Sequence, residues 1–89
     1  MPATFPLGQV VTTANARDKL HPGDIPLALD RHASGDWGDV DDHDRRENEI
    51  SVNQRLRLFS VYHDRNKTKF WIITEADRSA TTILLPEDY

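Results

Sequence analysis

The chain has no cysteine among its 89 residues. That excludes a disulfide framework and any thiolate metal site, and it fits a reducing cytoplasm. No apolar run approaches the ~18 residues a membrane-spanning helix needs. The opening "MPATFPLG" has neither a basic end nor an apolar centre, so no secretory leader is expected there. Glycine is scarce, with four residues, and none form a phosphate-cradling loop. No nucleophile signature or oxyanion motif is present. An excess of basic residues is missing too: 11 Lys and Arg face 15 Asp and Glu, for a net charge of −4. A nucleic-acid binder is usually net basic, and a mimic of DNA over its whole surface would be far more acidic.

The acidic excess has an address. The stretch "HASGDWGDVDDHDRRENE", residues 32–49, holds seven carboxylates, two histidines and a tryptophan placed between two glycines. Residues 36–49 alone carry a net charge of −5, so the rest of the chain is nearly neutral. Asp36, Asp39, Asp41, Asp42 and Asp44, with His32 and His43, are donors that suit hard or borderline metal ions. Their spacing matches no known cage, because Trp37 and Gly38 interrupt the alternating oxygens of a calcium loop. No metal and no cofactor is therefore expected. Asp41, Asp42 and Asp44 suit a helix N-terminus, where unpaired N–H groups and the dipole favour negative charge.

Around this segment the elements can be read in order. Residues 1–7 hold two prolines and read as a loose lead-in, and "GQVVTT" (8–13) is a short β-branched strand. "ANARDKL" supports one or two helical turns. The turn "HPGD" (21–24) lets Asp24 cap a helix over "IPLALDRHA", with Pro26 in its first turn. "DRRENEISVNQ" (44–54) is a second helix, apolar only at Ile50 and Val52, which docks by its C-terminal end. "RLRLFSVYH" (55–63), "KFWIIT" (69–74) and "TTILLP" (81–86) form an antiparallel meander, with Asn66 able to take a positive φ in the first connection. The expected fold is α+β in a single domain over residues 1–89. It is an antiparallel sheet of three to four strands with two short helices packed on one face. Its core is expected to draw on Leu56, Leu58, Phe59, Val61, Trp71, Ile73, Ile83 and Leu85.

"LGQVVTT", "SGDWGD", "DRRENE" and "WIITEADRSATTILLPEDY" together resemble a family of small bacterial proteins of plasmids and other mobile elements. Some members carry a label as a type I restriction methyltransferase subunit. A methyltransferase domain needs a doubly wound sheet and a glycine-rich cofactor loop, and this chain supplies neither. The resemblance covers most of the chain and implies a mobile-element setting without an activity.

Three functions follow as expectations. The leading one is a cytoplasmic, non-enzymatic protein that binds another protein through Asp36, Trp37, Asp39, Asp41, Asp42, Asp44 and Glu47. Its mobile-element setting suggests an anti-defence inhibitor that covers a basic surface of a host complex. Trp37 among carboxylates has the composition of a binding hot spot, although a tryptophan there can equally plug the core. The second is nucleic-acid binding through a sheet face bearing Arg55, Arg57, Arg65, Lys67, Lys69 and Arg78 with Phe59, Tyr62, Phe70 and Trp71 interleaved. The third is a metal-dependent hydrolase; among acid–base arrangements, a His–Asp pair could also serve Ser34 or Ser60.

Overall fold

The computed structural model describes residues 4–89, so the first three residues of the expected lead-in, and of the stretch read for a leader, lie outside the described residues. The elements run β1 (Gln9–Thr12), α1 (Ala14–Lys19), α2 (Asp24–Ala33), α3 (Asp42–Gln54), β2 (Leu58–His63), β3 (Lys69–Thr74) and β4 (Ala80–Leu84), closed by a 3₁₀ turn over Pro86–Asp88. The fold is α+β. No helix of the described residues is long and apolar enough to cross a membrane.

β2, β3 and β4 form the expected meander, with Leu58 opposite Thr74 and Ile72 opposite Ile83. β1 joins as the fourth strand, but parallel to β4, which makes the sheet mixed with order β1-β4-β3-β2. Three helices carry the chain from β1 at one edge to β2 at the other. No tight turn then dictates the direction of β1.

Alternation divides the sheet into two faces. Tyr62, Phe70, Ile72, Ile83 and Leu85 pack under Ala16 of α1, Leu20 just past its end and Ala28 of α2. Phe59, Val61, Trp71 and Ile73 belong to the opposite face by register. α3 does not join the other helices on the covered face. It lies along the outer edge of β2, where Asn48 grips the backbone of Phe59: its amide donates to the Phe59 carbonyl at 2.6 Å and accepts from the Phe59 N–H at 3.0 Å.

Several local expectations change for identifiable reasons. Residues 4–7 are not loose, because Thr4 N–H donates to the Ala33 carbonyl and Phe5 is buried. Asp24 is not the cap of α2, since Gly23 precedes the helix and the Asp24 carboxylate instead receives the Arg65 backbone and guanidinium. Lys67, not Asn66, takes the positive φ of the β2–β3 turn, because Asp64 accepts from both the Asn66 and Thr68 N–H groups and fixes the chain between them. α3 docks by polar groups more than by apolar ones, and Ile50 is exposed.

Leu56 is 47% exposed and outside the core. It belongs to the end of α3, where Arg55 is left-handed and the Leu56 N–H returns to the Ser51 carbonyl, so its strand alternation never starts. Arg78 is buried and completes this junction, donating to the carbonyls of Ser51 at 2.7 Å and Leu56 at 2.6 Å.

Ile72→Ala is expected to cost about 2–5 kcal/mol in urea unfolding, as for other fully buried aliphatic residues, while Leu56→Ala changes little. Gly38 has φ +74, and a Cβ there would overlap the Val61 carbonyl. Gly38→Ala therefore destabilises more than Gly35→Ala, which shares the left-handed strain but whose Cβ would meet only the Trp37 ring, at 4.0 Å.

Candidate functional site

The acidic segment first has a structural task. β2 is the edge strand facing α3, and its outward backbone groups need partners. Asn48 supplies them at Phe59. Two residues on, the Val61 N–H donates to the Trp37 carbonyl at 3.1 Å, and the Asp39 N–H donates to the Val61 carbonyl at 2.8 Å. Gly38 thus forms a single parallel bridge to Val61, an approach that only a residue without a side chain permits.

The side chains of the segment divide accordingly. Asp36 accepts from Arg31 at 2.8 and 3.2 Å and from the Gly38 N–H. The Arg31 guanidinium holds its carboxyl below the usual range. Asp39 sits 2.8 Å from the His63 Nδ1. Asp41 caps α3 by accepting from the Asp44 N–H. Trp37 is 4% exposed and packs with Phe5 and His32, so it plugs the core and offers no exposed anchor. Asp42 makes an exposed pair with Arg45, and Glu47 is exposed beside His43. Asp44 is half-buried and turned toward the open face of the sheet.

His32 does meet Ser60, at 2.5 Å through Nδ1, and Thr74 at 2.9 Å through Nε2. Thr74 bonds Thr81 in turn, and Thr81 donates to the Leu7 carbonyl. This is a satisfied buried network. His32 has 0% exposure, and no carboxylate orients it. A substrate has no route to Ser60, and Ser34 is at the α2 terminus bonding the Arg31 carbonyl. Burial first, and the nearby Arg78 charge second, push His32 from 6.5 to about 3.

The open face holds what the sequence concealed. Asp44, Arg57, Phe59, Trp71, Ile73 and Tyr89 line a cleft of about 360 Å³. Phe59 and Trp71, expected in the core, are half-buried there. Tyr89, unremarked in the sequence, is 74% exposed and meets Trp71 edge-on at 5.8 Å. Arg57 positions it by donating to its hydroxyl at 3.0 Å and to Glu75 at 3.1 Å. The signal for this cleft was available in the alternation of β3, where Phe70 and Ile72 take one face and Trp71 the other. Only the position of α3 shows which face stays open.

The basic and aromatic residues expected to share a nucleic-acid face are dispersed. Tyr62 and Phe70 lie under the helices, Arg78 is buried among carbonyls, and Arg65 is paired with Asp24. Among the described residues no three histidine or acidic side chains converge where a metal ion could sit. Comparison with protein-family models, curated proteins and solved structures finds no match to this chain.

The buried histidine makes acid stability predictable. Below about pH 6.5 the unfolded chain binds a proton at His32 that the folded chain refuses until about pH 3. Its contribution is complete above 6.5 and is lost as pH falls toward 3, at up to about 1.4 kcal/mol per unit. Asp24, held at about 2 by the Arg65 hydrogen bonds, acts only below its ordinary 3.8. Urea midpoints between pH 6 and 4.5 should therefore fall in the wild type and stay flatter in His32→Gln.

Proposed function

We propose that this is a non-enzymatic binding protein whose partner is a protein with a basic surface, engaged across the outer flank of α3 and the adjoining aromatic cleft. The observation that carries the reading is the placement of Asp44, which puts a carboxylate of the acidic helix in the same cleft as Phe59, Trp71 and Tyr89. Half-buried aromatics that line a cleft beside a charged rim have the composition of an interface centre. Asp42, Glu47 and Glu49 extend the negative potential along α3 and would steer a basic partner on approach. Asp36, Trp37, Asp39 and Asp41 serve this surface indirectly by fixing α3 and its connection to the β2 edge.

The resemblance to mobile-element proteins supports a setting in the cytoplasm, where the partner would be a host-defence complex and this chain its inhibitor. Nucleic-acid binding is the second reading, supported by Arg57 and Lys69 on or beside the face that bears Trp71.

The test is a selection of displayed random peptides on the folded protein, followed by kinetics with the recovered sequences. Peptides combining Lys or Arg with an apolar residue are expected. Changing Asp42, Asp44 and Glu47 to Lys, with the cap Asp41 retained, should slow association about tenfold at low salt. Circular dichroism checks that the variant is folded. A single-stranded oligonucleotide that binds the wild type, and is lost on reversing Arg57 and Lys69, would give the function to nucleic acid instead.

A further inference from the structure

The three aromatic rings of the cleft do not form a flat platform. Phe59 and Trp71 have centroids 5.1 Å apart with planes at 73°, and Trp71 and Tyr89 are 5.8 Å apart at 71°. A flat run of rings would suit stacked bases. Rings set nearly at right angles around one concavity suit a compact, rounded group, and the negative faces of aromatic rings favour a cation there.

Charge at the rim points the same way. Asp24, Asp36 and Asp42 are each paired with an arginine and Asp39 lies against the His63 ring, whereas the half-buried Asp44 carboxylate has no cationic partner among the described residues. Arg57 also lines the cleft, but its charge is answered by Glu75 at 3.1 Å and its second arm holds the Tyr89 hydroxyl. With that pair balanced, the surplus side-chain charge of the lining is the one on Asp44. A hard metal ion needs several oxygen ligands, and a lone carboxylate does not supply them. An alkylammonium needs only ring faces and one carboxylate.

We infer that Phe59, Trp71, Tyr89 and Asp44 form a cage for an alkylammonium head, the lysine side chain of the basic partner in its free or methylated state. This rests on the binding surface proposed above and names the group that would seat in its centre. Tyr89 would be a wall held by Arg57, and Trp71 the shared wall between the other two rings.

The experiment is an NMR titration of the intact protein with N-acetyl-trimethyllysine amide and with its neutral analogue carrying a tert-butyl head. The two probes match in shape and differ in charge. The charged probe is expected to shift the Trp71 indole N–H saturably and to leave that of the buried Trp37 in place. The neutral probe should bind about fivefold more weakly. Asp44→Asn should weaken the charged probe and leave the neutral one unchanged, and this mild substitution keeps the Asp41 cap intact. Equal binding of the two probes would show an apolar cleft without a cation site, and no effect of Asp44→Asn would remove the carboxylate from the cage and overturn the assignment. No Trp71 shift from either probe also overturns the cage. The peptide selection reads the wider surface independently, so failure of the cage and failure of the binding surface are separate results.

Discussion

The outer edge of β2 is the constraint on which the rest of the molecule depends. An edge strand presents unpaired N–H and C=O groups and invites association with other chains. Here the cover comes from two unrelated devices placed two residues apart. Asn48 imitates a strand with its side-chain amide at Phe59, and the backbone of Trp37 and Asp39 bridges to Val61. The first device needs a helix lying along the edge. The second needs a glycine at position 38, a tight exit from α2 and a plug that fixes the loop, which Trp37 provides against Phe5 and His32.

That requirement explains the composition of the acidic segment. A helix that docks through an amide, a serine carbonyl and a buried arginine needs no apolar stripe. α3 accordingly carries little of one: its inward positions are Asp44, Asn48 and Ser51, with Val52 the apolar side chain packed on the core. Its outward positions are free to be charged, and acids near its N-terminus gain from the dipole. Part of the local negative charge therefore has a structural origin. The remainder, on Asp42, Asp44, Glu47 and Glu49, exceeds what one cap requires.

Much of the fold was legible because it was written in short periods. The β2–β4 meander and the α2 helix follow from alternation and turn chemistry, and the acids at the start of α3 follow from capping. What was hidden depends on contacts distant in sequence. Leu56 alternates correctly with Leu58, yet Arg55 ends a helix just before it and leaves it in solvent. Arg78 looks like a surface charge in "EADRSA" until the carbonyls of Ser51 and Leu56 are brought to it. Trp37 could be read as anchor or plug, and only the arrival of Phe5 and His32 decides for the plug. For the same reason Trp37 is not the tryptophan that adjoins the acidic helix in a cleft: that one is Trp71, 27 positions beyond Asp44 along the chain.

The two faces of the sheet are thus used differently, and α3 links them. One face buries its aliphatic residues beneath α1 and α2 and contains the neutral His32 network, which gives cohesion and leaves no access. The other keeps Phe59, Trp71 and Tyr89 within reach of solvent. Asn48 of α3 holds the β2 edge, and Asp44, one turn earlier, forms a wall of the cleft. The carboxylate that lines the cleft and the amide that holds the Phe59 backbone consequently belong to the same helix. A partner that holds α3 in place also reinforces the cover of β2, because binding to the folded form alone stabilises whatever that form requires. The edge cover and the cleft wall are therefore one structural unit, and the sequence of α3 satisfies both demands with polar residues.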